Sequence, residues 1–218
     1  AELLEKDPEN RLLAHGPRFR LPPEMIRDQA LYTAGLLGAK LGGPSSKPYP
    51  PAGLWQELGG GDAYVTEKGE GRYRRSLYTF WKRAAPPASM EIFNAPNRET
   101  CVVKRERTNT PLQALVTLND IQFVEAARHL ATKAMRESDP LNFLAGRLLS
   151  RPLDTFERLV LEMNTADLEE YFTKHPAEAE KLITEGESKP DRTLHPGKLA
   201  AWTMLTNQML NLDEVLSK

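Results

Sequence analysis

Proline stands where helices begin in this chain, and that placement constrains the fold more than any other feature. The ring fixes φ at about −65° and removes the N–H, so proline suits a first helical turn and disrupts a helix interior. Pro22 and Pro23 precede Met25, Ile26, Ala30, Ala34, Leu37 and Leu41, which recur at helical spacing until Gly42 and Gly43 close the run. Thr110-Pro111-Leu112-Gln113 supplies an N-cap, a proline at the first helical position and a glutamine to complete a capping box. The stripe that follows is Leu112, Leu115, Leu118, Phe123, Val124, Ala127, Leu130, Ala131 and Ala134, with a break at Asn119-Asp120 and Asp120 recapping the second helix.

Further starts follow in close succession. Asp139-Pro140 opens a helix ending near Ser150, Asp154 or Thr155 opens one through Met163, Thr165 caps another, and Pro176 begins a short one. The last runs from Pro196 and aligns Leu199, Trp202, Leu205, Met209, Leu212 and Leu216. Connections this short, from residue 110 onward, are those of antiparallel helical bundles.

Two stretches depart from this grammar. Residues 42–62 are dense in glycine and proline, which excludes a long helix or a ladder and predicts a long ordered loop or lid. Residues 72–87, RYRRSLYTFWKRAAPP, read as an extended segment: Leu77, Tyr78, Thr79, Phe80 and Trp81 favour a pleated conformation, and apolar residues on both faces predict burial on both sides. Thr100 to Val103 is a second extended candidate. The expected fold is therefore mainly α, a bundle-like single domain over 1–218 with a small extended or two-stranded element near residues 76–103. It comprises the loop at 42–62, a motif-rich basic centre at 63–110 and a helical part at 111–218. The opening without Met or a targeting signal suggests the C-terminal fragment of a larger protein.

The net charge of −1 and a pI near 6.5 argue against a polyanion as main partner, so nucleic acid is set aside. Charge is nevertheless unevenly placed. Residues 71–110 hold nine basic side chains against three acidic ones, and residues 151–191 hold eleven acidic against five basic, so the two regions have the charges to pair with one another. A single cysteine, Cys101, excludes an internal disulfide, and no apolar run approaches the roughly 18 residues that span a bilayer. His15, His129, His175 and His195 are isolated in sequence, which gives no metal-ligand spacing. No P-loop, dinucleotide fingerprint or nucleophile elbow is present.

The basic aromatic centre is the remaining candidate site. Arg74, Arg75, Lys82, Arg83, Arg105 and Arg107, with Asn109, are placed to flank a groove for an anionic ligand, since guanidinium forks match carboxylate, sulfate or phosphate oxygens. Tyr78 and Trp81 have the faces to stack on a sugar ring or base. The structural alternative makes the aromatics core and pairs the arginines with local glutamates or helix-end carbonyls. Glu91, Glu99 and Glu106 are the carboxylates a hydrolytic site here would draw on. Cys101, followed by Lys104 and Arg105, has either a lowered pKa and nucleophilic character or the half-buried role of most free cysteines.

The stretches YRRSLYTFWKR, MEIFNAPNRETCVVKRERTNTPLQALVTLND and FVEAARHLA, with NRLLAHGPRFRLPPEMIRDQAL and the closing LAAWTMLTNQMLNLDEVL, resemble the planctomycete domain-of-unknown-function 1553 family. That is the C-terminal domain of large envelope proteins that often carry a cytochrome-c-like domain. The resemblance implies an extracytoplasmic setting, companion domains as partners, and haem, where present, in those domains; this chain has no Cys-x-x-Cys-His motif and no cofactor of its own is expected. It supplies no catalytic residues. The expected function is a non-catalytic ligand-binding or interaction module. The competing expectation is part of an enzyme acting on acidic or sulfated polysaccharide, or an oxidoreductase subunit whose site is shared with other domains.

Overall fold

The computed structural model describes residues 5–13, 16, 19–49, 65–82 and 86–217. Its helices are α1 (Pro23–Ala34), α2 (Ala88–Ile92), α3 (Pro111–Asn119), α4 (Ile121–Ala134), α5 (Pro140–Leu148), α6 (Thr155–Lys174), α7 (Pro176–Ile183), α8 (Pro196–Leu210) and α9 (Asp213–Leu216). The described residues are mainly helical, as the proline punctuation implies. Each of α1, α3, α5, α7 and α8 carries proline in its first turn.

The fold is built around α4 and α8. They pack on one another, α1 covers α4, and α6 and α7 cover α8. Alanines make this closeness possible: Ala126, Ala127, Ala131 and Ala134 on α4, and Ala200 and Ala201 on α8, are all fully buried. The main core adds Ile26 and Leu31 of α1, Leu130 of α4, Leu144 and Leu148 of α5, and Met209, Val215 and Leu216. A smaller cluster joins Phe172, Ala179 and Ile183 to Leu199. The segment before α1 is tied to the residues around α9, because Leu21 N donates to Leu216 O at 2.9 Å and Arg20 bridges Ser217 in antiparallel sense.

Several boundaries differ from the sequence reading. Helix α1 stops at Ala34, well before Gly42–Gly43, because Gly35 takes the left-handed conformation (φ 74°) and Lys133 Nζ donates to the helix-end Ala34 carbonyl at 2.7 Å. Leu41 consequently lies outside the core, and Met25 falls on the outer face of α1. Asp120 does recap α4, accepting from Gln122 N, but the Thr110 capping box is only half made: Thr110 accepts from Gln113 N while the Gln113 side chain goes elsewhere. The full box forms at Asp154 and Glu157, and α6 continues through Thr165, whose hydroxyl returns to Leu161 O at 2.6 Å. Leu112 and Leu115 are exposed rather than core.

The basic centre departs furthest. Residues 69–73 and 76–78 form short 3-10 turns, α2 follows, and the extended element is reduced to isolated bridge positions, among them the parallel bridges of Arg74 to Gly38 and Ser46 to Thr79. Residues 100–103 do not pair with them. Burial is inverted relative to the expected two-sided core: Leu77 is 73% exposed, whereas Arg72 and Arg74 are 7% exposed and Ser76 is 1% exposed. The lid expected at 42–62 lies mostly outside the described residues, which stop at Tyr49 and resume at Val65.

Candidate functional site

The buried arginines organise the first half of the basic centre. Arg27, on the inner face of α1, donates from Nε to Gln122 Oε1 (2.6 Å), from Nη1 to Arg74 O (2.9 Å) and Ser76 Oγ (3.1 Å), and from Nη2 to Arg72 O (2.9 Å). Its neighbour Asp28 accepts from the Ser76 amide and hydroxyl at 2.8 and 2.7 Å. One side chain thus supplies donors to carbonyls that no ladder satisfies, which is what allows residues 72–76 to be buried without regular structure. Arg72 in turn donates to Glu67 O (2.7 Å), pairs with Glu187 at 3.0 Å and stacks on Tyr49. Arg74 donates to Pro44 O and Gly42 O and stacks on Tyr78, whose hydroxyl accepts from Gly42 N.

A second buried network lies on the far side of this segment. Glu125, 1% exposed, accepts from Tyr73 Oη (2.9 Å), Ser188 N (2.8 Å) and Ser188 Oγ (2.5 Å) and lies 3.7 Å from Arg128. His129 Nε2 is 2.8 Å from Ser188 Oγ, a spacing that resembles a nucleophile and its base. The hydrogen-bond count excludes that role. Ser188 gives its proton to Glu125 and accepts from Arg128 Nη2 at 2.7 Å, so His129 can only donate to it. Burial, with the Arg128 guanidinium beside it, holds the His129 imidazole below its usual pKa, and burial and Glu125 push the Tyr73 phenol up. This network fastens the loop at residues 186–188 to α4.

The cleft is elsewhere. A cavity of about 1160 Å³ opens between residues 19–23, the α9 end of the chain and the strap that carries Val103 to Asn109. Four cationic side chains line it, Arg20, Lys104, Arg105 and Arg107, against the carboxylates of Glu106 and Asp213. Arg107 lies over the Phe19 ring at 4.6 Å, and Arg20 over Phe93 at 5.9 Å. Arg105 meets Glu24 at 2.8 Å, but its side chain remains 45% exposed, so the pair is weak and open to exchange. Arg20 is mostly buried, meets Asp213 at 3.6 Å, and is lowered in pKa by desolvation. Gln113, 1% exposed, donates to Ile92 O and Thr108 Oγ1 and so fixes the strap's far end at the start of α3.

The expected site residues therefore divide. Arg105, Arg107 and Asn109 line the cleft. Arg74 and Tyr78 belong to the buried segment. Trp81 anchors the strap's near end, donating to Asn97 O at 3.1 Å beneath Arg98. Arg75 is exposed away from the cleft, Lys82 is half-buried at a bridge position, and Arg83 lies outside the described residues. Of the expected carboxylates, Glu106 lines the cleft and Glu91 and Glu99 do not. Cys101 is exposed rather than half-buried. Arg20, Lys104 and Gln113 are cleft residues that the sequence reading did not place among the ligand-binding candidates; no local signal marks Arg20, since it reaches the site through the long-range pairing of Leu21 with Leu216. Among the described residues no group of three or more His, Cys, Asp or Glu side chains is arranged to hold a metal ion, and no helix is long and apolar enough to cross a membrane.

These features define a mainly helical fold with an open, cation-lined cleft under an irregular strap. The chain belongs to the PSD1 family, a protein family of unknown function (DUF1553), whose model matches residues 1–164. That match includes α1, the buried arginine segment, the strap and one cleft wall, and it ends inside α6. No curated protein and no solved structure matches the chain.

Proposed function

We propose that this domain is a binding module whose cleft holds an anionic ligand or partner segment. The observation that carries this reading is the convergence of Arg20, Lys104, Arg105 and Arg107 on one open cavity with only two carboxylates among its lining residues. Guanidinium groups beside low-dielectric walls favour carboxylate and sulfate oxygens. Titration calorimetry with polyglutamate, polygalacturonate and a sulfated glycan tests it. The Lys104→Gln/Arg105→Gln/Arg107→Gln variant is expected to bind at least about tenfold more weakly with an unchanged melting temperature. Absence of binding by the unaltered chain, or equal binding by the variant, contradicts the proposal.

The resemblance of the sequence to envelope proteins supports an extracytoplasmic setting beside companion domains, with haem, where present, held by those domains. Cell fractionation of the full-length protein checks this. An enzyme reading is favoured by a single feature, Glu106 and Asp213 on the same cleft. Turnover of an acidic polysaccharide by the full-length protein, lost in Glu106→Gln, would establish it.

A further inference from the structure

The strap has an unusual property for an ordered segment of a folded domain. Among the described residues, no backbone N–H or C=O from Cys101 to Asn109 makes a hydrogen bond. Every residue from Cys101 to Arg107 is exposed, and from Arg105 to the extended Thr110 (φ −119°, ψ 152°) the chain runs without a turn or bend. Both ends are nevertheless fixed. Trp81 and Arg98 hold the near end, and Gln113 and Asn94 hold Thr108 at the far end, at 2.9 and 2.7 Å. A held segment with a free row of donors and acceptors is a template for pairing with another backbone.

The opposite wall points the same way. Arg20 Nε and Gln113 Oε1 are buried and have no hydrogen-bond partner, one a donor and the other an acceptor. Both residues line the cleft, and Gln113 is 1% exposed. The assignment of the Gln113 amide is fixed by chemistry, because its nitrogen faces the Ile92 carbonyl at 3.0 Å, which can only accept. Sulfate offers acceptors alone. A polypeptide offers amide N–H and C=O in alternation, which answers the strap and the inner wall together.

We infer that the cleft takes an extended acidic polypeptide segment, laid along the strap between Val103 and Asn109, with its carboxylates on Lys104, Arg105 and Arg107. This rests on the anion-binding reading above and names the ligand class for the same site. It explains why the cations stand on an irregular strap rather than on a helix: a helix would consume the backbone groups that the ligand reads.

The test uses three ligands on the intact chain. The first is a seven-residue peptide alternating Glu and Val; the second is the same peptide N-methylated at alternate residues; the third is polygalacturonate. Calorimetry gives affinity, and amide hydrogen exchange of residues 101–109 reports backbone pairing. The plain peptide is expected to bind and protect the strap amides, with the N-methylated peptide at least about tenfold weaker, the effect of one or two lost hydrogen bonds. Equal affinity of the two peptides, or binding that leaves the strap amides unprotected, overturns the inference. Polygalacturonate binding with no peptide binding also overturns it while leaving the anion-binding reading intact; failure of all three removes both.

Discussion

Arg27, Arg72 and Arg74 on one side, and Lys104, Arg105 and Arg107 on the other, carry the same charge within one chain and have opposite fates. The first group is buried because the chain supplies its acceptors: the carbonyls of residues 42, 44, 67, 72 and 74, the Gln122 amide and the Glu187 carboxylate. The second group stands on a strap whose own backbone is unpaired and whose side chains meet a cavity. A guanidinium's role is thus set by whether the surrounding backbone has unmet carbonyls to offer it. Irregular, buried backbone absorbs arginine as structure. Irregular, exposed backbone leaves it free to meet a ligand.

The largest effect that sharpens this contrast belongs to Arg27. Replacing it with Met leaves the Arg72 and Arg74 carbonyls, Ser76 and Gln122 without their donor, and we expect a loss of roughly 3–5 kcal/mol, measured by urea unfolding. A loss below about 1 kcal/mol would break the contrast, since it would make the buried arginines dispensable. Next comes Gly186→Ala. The glycine has φ 89°, and an added Cβ would sit 2.5 Å from Glu125 Cδ, so the loop must shift away from the buried carboxylate. About 1–3 kcal/mol is expected, read in the same way.

A smaller effect appears with pH. Arg151, which also meets Glu214, donates to both oxygens of Glu157, at 2.6 and 2.8 Å, and with the Asp154 amide holds that carboxyl at about 2, below its ordinary value of 4.5. The folded pKa is depressed, so the contribution is complete above 4.5 and is lost as pH falls toward 2. Glu157→Gln should flatten the stability profile in that window and leave the profile above it unchanged. The smallest effect is expected at the strap: Arg105→Gln/Arg107→Gln should alter stability by no more than about 0.5 kcal/mol, checked by thermal unfolding.

How much of this was legible in the sequence follows from the same distinction. Helix starts were legible because a proline or an Asp cap acts locally, as at Pro111, Asp120 and Pro140. Helix α1's end was not, since the Ala34 carbonyl is taken up by Lys133, a residue almost a hundred positions away. Leu77 to Trp81 read as a buried strand because apolar alternation cannot reveal that Arg27 will satisfy the neighbouring carbonyls and leave Leu77 in solvent. One signal was present: Arg27 falls on the inner face of α1, beside Ile26 and one turn from Ala30 and Leu31, where a charge requires a buried partner. Of the expected site residues, Arg105, Arg107 and Asn109 reach the cleft, while Arg74 and Tyr78 share their composition but not their surroundings.

The division between buried arginines and the cleft arginines proposed to bind is most directly tested by side-chain Nε–Hε magnetic resonance, recorded with and without polyglutamate. The account predicts slow solvent exchange for Arg27 and Arg72, whose Nε atoms donate to Gln122 and Glu67, and no response of either to the polyanion. Arg105 and Arg107 should exchange rapidly and shift on addition. Uniform exchange across the four, or shifts at Arg27 and Arg72 with none at the strap, would contradict it.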